Sequence, residues 1–257
     1  HPVSREQKIA AGNGHSHNDY QQQIPLLTAY YAGMGAIEAD VFLRNGILFV
    51  AHETAEIKTE RTLKNMYLDP LATFYKENGN KGYPDSAKKL QLVIDIKEAD
   101  ENVLQHLVKE LKGYGSIFDP QKNPAAIRVV VTGELPLPSN FAKYASLISF
   151  DGRPGIAYSK EQLQHIAMIS ADIVNYSVWN GKGTPTPDDL QKMTAVVSQA
   201  HALGKPFRFW GTKDNPNTWK ELEHMGVDWI GTDQATVLKD FYQNRKKLEY
   251  INPSAYQ

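Results

Sequence analysis

Three of the chain's eight histidines stand where chemistry is usually done. His15 and His17 belong to His15-Ser16-His17-Asn18-Asp19-Tyr20, directly after the first apolar stretch, and His52 follows the run Gly46-Ile47-Leu48-Phe49-Val50-Ala51. Six polar or aromatic residues at a strand exit build no core; the plain alternative is a polar loop with Asx-turn chemistry. Of the other histidines, His106, His165, His201 and His224 fall in stretches of helical periodicity and His1 is terminal. Imidazoles titrate near neutrality, so two of them can act as base and acid in one reaction.

The acids repay the same scrutiny. Glu38-Ala39-Asp40 lies inside the apolar stretch Ala36–Val41. Strand side chains alternate, so Glu38 and Asp40 share one face. Two carboxylates on a buried face repel and desolvate each other. A divalent cation is the simplest compensation, and hard oxygen ligands suit Mg²⁺ or Ca²⁺; an edge strand with a solvated face is the alternative. Asp95 is embedded in Leu92-Val93-Ile94-Asp95-Ile96-Lys97, where an acid needs a partner. Either it pairs with Lys97 on the same face, or it is a third metal ligand and Lys97 a phosphate contact.

These groups need elements to hold them. The 257 residues suffice for one (β/α)8 barrel. Apolar stretches of strand length occur at Lys8–Gly12, Ala36–Val41, Leu90–Ile96, Ile127–Val131, Leu147–Phe150, Ile173–Tyr176, Pro206–Trp210 and Trp229–Gly231. Amphipathic helical stretches separate them. Thr186-Pro187 and Asn215-Pro216 open two helices, Ser159 with Gln162 resembles a capping box ahead of Leu163 and Ile166, and Asp69-Pro70 starts a shorter helix. Alternating strands and helices predict a parallel α/β fold, a single-domain TIM barrel over residues 1–257 with a C-terminal tail from about residue 248. A doubly wound sheet is the alternative, without the G-x-G-x-x-G turn of its nucleotide-binding form. Asn45-Gly46 predicts a β-hairpin after the second strand, bringing His52 back toward Glu38 and Asp40. Strict pairing would set His52 opposite Ala39, on the wrong face, so the strands must bulge or diverge.

Composition closes other routes. With 28 Lys+Arg against 29 Asp+Glu, a general nucleic-acid binder is not expected. The absence of Cys excludes disulfides and thiolate chemistry. No apolar run reaches transmembrane length. A first residue other than Met suggests a processed, secreted or periplasmic chain.

In this order, His15, Glu38-Ala39-Asp40, His52 and Asp95-Ile96-Lys97 resemble the glycerophosphodiester phosphodiesterase family of phosphatidylinositol-phospholipase-C-like barrels. That pattern is a His after the first strand, Glu-x-Asp on the second, a hairpin to a second His, and acid-x-Lys on the third. Glu60-Arg61-Thr62 is similar to the family's Arg-Thr segment, and Trp229-Ile230-Gly231-Thr232-Asp233 to its last strand. The resemblance implies a phosphodiesterase with His15 and His52 as the acid/base pair and Glu38, Asp40 and Asp95 on one divalent cation, Mg²⁺ or Ca²⁺. It further implies a small-molecule phosphodiester substrate contacted by His17, Asn18 and Lys97. Arg208 and Trp210, and more weakly Trp179 and Asn180, are candidates to bind the alcohol group. The chain departs from the family's His-Arg-Gly: the Arg is absent, and His15 to Asn18 is closer to the His-x-x-Asn of venom phospholipase D barrels. These departures bear on the substrate. Two other functions compete: an amidohydrolase-type metal hydrolase, suggested by His15-x-His17 and Asp233, and a non-catalytic glycan- or lipid-binding barrel, suggested by the missing Arg.

Overall fold

The computed structural model describes residues 11–144 and 146–251. Eight parallel strands form the sheet: β1 (Gly14–Ser16), β2 (Ala36–Arg44), β4 (Gln91–Ile96), β5 (Arg128–Gly133), β6 (Ser149–Gly152), β7 (Ile166–Asp172), β8 (Phe207–Trp210) and β9 (Ile230–Thr232). A ninth, β3 (Ile47–Val50), pairs antiparallel with β2. The order β8-β7-β6-β5-β4-β2-β1-β9 nearly closes on itself, because Arg208 on β8 bridges in parallel to Trp229 before β9. Helices α1 (Leu27–Tyr31), α2 (Asp69–Glu77), α3 (Glu101–Lys112), α4 (Lys160–Leu163), α5 (Pro187–Ala202), α6 (Pro216–His224) and α7 (Ala235–Ile251) complete the TIM-barrel-like domain.

Alternation within the strands divides the interior. On β2, Ile37, Ala39 and Val41 belong to the main apolar core, while Ala36 belongs to a smaller cluster with Val93, Val130 and Met168. By the strand register, this cluster shares the inward face with Glu38, Asp40, Asp95 and Thr132. The barrel is therefore plugged by a few apolar side chains, with Trp229 packed against them, and carries its polar groups nearer the C-terminal ends of the strands. On α3, Val103, Leu104, Leu107 and Leu111 form the buried stripe. The expected caps are present: Thr186 accepts from the Asp189 amide and Asn215 from the Thr218 amide. No helix among the described residues is long and apolar enough to cross a membrane.

Several boundaries differ from expectation. The first strand was expected at Lys8–Gly12. Residues 8–10 lie outside the described residues, Ala11–Asn13 is a short helical turn, and β1 begins at Gly14. The Ser159 capping box forms, but the helix ends at Leu163, and Ile166–Asp172 is a strand rather than the helix's continuation. Ile166, Met168, Ile169 and Ala171 are all buried, and a short apolar run buried on both faces fits either periodicity. Ile173–Tyr176 is accordingly not a strand: Ile173–Asn175 is a helical turn capped by the Asp172 carboxylate on the Val174 amide. The expected tail starts inside α7, which runs to Ile251; residues 252–257 lie outside the described residues.

Candidate active site

The hairpin forms as its turn demands. Asn45 and Gly46 both hold positive φ, 51° and 73°, as a type I′ turn requires. Pairing runs from Arg44↔Ile47 to Val41↔Val50, and a last bond from the Ala51 amide to the Asp40 carbonyl at 3.2 Å ends it. On the other edge of β3, the Val50 amide donates to the Arg61 carbonyl and Phe49 bridges to Thr62. The strands part at the point the wrong-face argument requires, and His52 turns toward Asp40, with Nδ1 at 3.4 Å from Oδ2.

Glu38 and Asp40 project inward from β2, and Asp95 stands beside Asp40 in the β2–β4 register. Glu38, Asp40 and Asp95 each offer an oxygen, and these lie within 4.8 Å of one another. Glu38 and Asp40 are buried and Asp95 is partly exposed. Burial, reinforced by the Asp40 charge, pushes Asp95 up to about 6. Burial and the Glu38 charge raise Asp40 as well. Lys97 partly relieves both acids, lying 3.1 Å from Asp40 and 3.6 Å from Asp95. Asp40 Oδ2 also accepts from the Tyr20 hydroxyl at 2.5 Å, whereas Oδ1 is buried without a partner. An orphaned carboxylate oxygen beside two further carboxylates fits a hard divalent cation.

His15 is fully buried on β1, and its Nε2 lies 2.9 Å from Glu38 Oε1. Burial lowers its pKa to about 4, helped by the Arg208 charge and resisted by Glu38. At neutral pH it is thus a neutral imidazole whose Nε2–H donates to an ionised Glu38. Burial opposes the Glu38 charge, but the His15 hydrogen bond and the Arg208 charge prevail and hold this carboxyl at about 2. His17 lies at the mouth, its Nδ1 2.9 Å from Asp233 Oδ1 at the end of β9. That hydrogen bond raises the His17 pKa against partial burial. Asn18 adopts a left-handed backbone, φ 43°, and its amide donates to Glu38 Oε2 at 3.2 Å.

Of the residues expected to meet the alcohol group, Trp210 is half-exposed at the end of β8. Arg208 lies deeper, buried, with Nη2 3.9 Å from Glu38 Oε1. Trp179 and Asn180 serve their own loop, Nε1 of Trp179 donating to the Lys182 carbonyl and the Asn180 side chain accepting from the Lys182 amide. The histidines an amidohydrolase would need on the middle strands are not found among the described residues: His165 precedes β7 and His201 lies in α5.

Two groups escaped sequence reasoning. Tyr20 reaches both Asp40 and His52, and its signal was its place in the run beginning at His15. Asp151 on β6 is fully buried and accepts from Thr132 and Ser170, with Arg153 at 3.2 Å. An acid after Ser149-Phe150 invites the argument applied to Asp95, but the expected strand ended one residue short.

Comparisons with known proteins bear on the fold and the family. The altered inheritance of mitochondria protein 6 homolog of Arthroderma benhamiae is 28% identical over 89% of this chain and 83% of its own length. The altered inheritance of mitochondria protein 6 of Kluyveromyces lactis is 30% identical over 89% of this chain and 72% of its own length. These names associate the relatives with mitochondria and overturn the expectation of a secreted or periplasmic chain. That expectation rested on the first residue alone, which carries no targeting information. A glycerophosphodiester phosphodiesterase from Parabacteroides distasonis shares the fold, with a TM-score of 0.56 at 16% identity, covering 91% of this chain and 98% of that one. The AIM6-like phosphodiesterase domain matches residues 4–146, spanning β1 to β5 and with them both histidines, all three carboxylates and Lys97, and the chain belongs to that family.

Proposed function

We propose that the chain is a metal-dependent phosphodiesterase that cleaves a glycerophosphodiester-like small molecule by two-histidine acid/base catalysis. The observation that carries this reading is the convergence of three carboxylate oxygens within 4.8 Å, with His15, His52 and Lys97 around them. Glu38, Asp40 and Asp95 would hold one Mg²⁺ or Ca²⁺, which when bound neutralises charge on the non-bridging phosphate oxygens. Lys97 adds a fixed positive charge against the same oxygens. His17, whose pKa the Asp233 hydrogen bond raises, and the Asn18 side chain complete the phosphate pocket. His15 and His52 divide the two proton transfers, one accepting from the attacking oxygen and the other donating to the leaving alkoxide. Trp210 offers an apolar wall to the alcohol group, and Arg208 acts from below through Glu38.

The test is hydrolysis of a chromogenic phosphodiester and of glycerophosphodiesters with Mg²⁺, with Ca²⁺ and with chelator, for wild type and His15→Ala. Cation-dependent turnover that disappears in the variant is expected. Absence of turnover with either metal, in protein that demonstrably binds a cation, would refute the reading in favour of a binding barrel.

A further inference from the structure

Tyr20 closes a triangle that decides which nitrogen of His52 carries the proton. Tyr20 is buried, 4% exposed, and its backbone carbonyl accepts from the Arg61 guanidinium, so the main chain that carries the ring is held in place. Its hydroxyl is 2.5 Å from Asp40 Oδ2 and 3.3 Å from His52 Nδ1, while Nδ1 is 3.4 Å from that same Oδ2. Oδ2 accepts and also faces the Lys97 ammonium at 3.1 Å. The phenol has one proton, and the short charge-assisted contact takes it to the carboxylate. His52 Nδ1 therefore faces two oxygens with only lone pairs left for it. A bare Nδ1 lone pair there would be repelled by both; an Nδ1–H satisfies both. With Nδ1 protonated, Nε2 of the neutral ring carries the lone pair.

We propose that Tyr20 is a positioning residue that, with Asp40, locks His52 in the Nδ1–H tautomer and presents Nε2 for proton exchange. This rests on the reading of His52 as one of the proton-transfer pair. The His52 ring is 43% exposed, so few packing contacts fix its orientation and the hydrogen bonds must do so. Asp40 alone reaches it only at 3.4 Å, and the phenol supplies the second acceptor. An outer-shell partner of this kind commonly changes activity by about 10–100-fold.

The substitution that isolates the hydroxyl is Tyr20→Phe, which keeps the buried ring. Nitrogen-15 NMR of histidine-labelled protein at about pH 8.5, above the ordinary histidine range, reads the tautomer directly, with His52→Gln assigning the signal. The wild type is expected to show His52 protonated at Nδ1. In Tyr20→Phe the Nε2–H form should gain population, kcat on the chromogenic diester should fall about 10–100-fold, and KM should change little. A wild-type His52 protonated at Nε2 overturns the proposal without any variant, as does an unchanged tautomer in Tyr20→Phe. If no diester is turned over but the tautomer still depends on Tyr20, the hydrogen-bond assignment stands and the phosphodiesterase reading fails.

Discussion

Asp95 provides the sharpest test of the carboxylate cluster, because one substitution should move stability and cation binding in opposite directions. Asp95→Asn removes one of three mutually repelling charges while keeping the side chain's shape. The magnitude follows from two routes. The shift of Asp95 from 3.8 to about 6 is roughly 2 pK units, or about 3 kcal/mol at ~1.4 kcal/mol per unit. Two unit charges within 4.8 Å of each other, at an effective dielectric constant of about 20, repel by about 3 kcal/mol. The amide is itself desolvated and Lys97 loses its 3.6 Å partner, so a net gain of about 1–2 kcal/mol is expected, or roughly 2–8 °C in Tm.

The sign with pH is fixed by the direction of the shift. A group whose folded pKa is raised contributes stability that is fully present below its unfolded value and lost as pH rises through the folded one. For Asp95 that loss spans the interval from 3.8 to about 6. Thermal melts in chelator should therefore coincide for wild type and Asp95→Asn near the lower limit and separate above the upper one, the variant melting higher. A cation at about 100 times its Kd should then stabilise the wild type by about 2.7 kcal/mol and the variant by much less. A variant that melts below the wild type in chelator at neutral pH refutes the argument that these carboxylates repel. An equal cation-induced shift in the two proteins refutes the assignment of Asp95 as a ligand.

Three further outcomes are expected. Gly133→Ala should weaken the cation-induced shift in Tm, because a Cβ there would come 2.2 Å from Asp95 Oδ1 on a backbone at φ +82°; an unchanged cation affinity in calorimetry would count against it. His52→Asn should lower kcat about 10²–10⁴-fold in diester hydrolysis and leave the thermal response to cation in place, whereas a loss of both would make His52 part of the cation site. The raised pKa of His17 makes the pocket more cationic below that value. KM for a diester should thus rise with pH in the wild type and stay flatter in His17→Arg, and a flat wild-type KM would exclude His17 from phosphate binding.

What could be read from the residues alone divides by how local the constraint is. Glu38, Asp40 and Asp95 were legible because alternation in a strand is a two-residue rule and a carboxylate among aliphatics contradicts its surroundings. The hairpin was legible because Asn45-Gly46 needs only its own backbone preference. The divergence that brings His52 to Asp40 was legible as a necessity from the face His52 would otherwise take. The pairing of the Arg61 and Thr62 segment with the other edge of β3 was not, because no local pattern announces it. β7 was missed because Ile166–Asp172 is apolar on both faces, so periodicity had nothing to distinguish. The side chains of Tyr20 and Asp151 depend on tertiary partners such as His52, 32 residues from Tyr20, and Ser170, 19 from Asp151.

The depth of each group explains the division of labour. The apolar plug of Ala36, Val93, Val130 and Met168 is fully buried inside the barrel. Above it His15, Glu38, Arg208 and Asp151 are buried almost completely, and each charged group there faces one of opposite sign. Such an arrangement resists deformation, because moving any member strands its neighbour's charge at a cost of several kcal/mol. His52, Lys97, His17 and Trp210 lie nearer solvent. A substrate would meet these outer groups first, and buried Asp40 helps to fix two of them, His52 and Lys97. Removing an exposed member should therefore alter rate or affinity with small effects on folding, while removing a buried one should alter both.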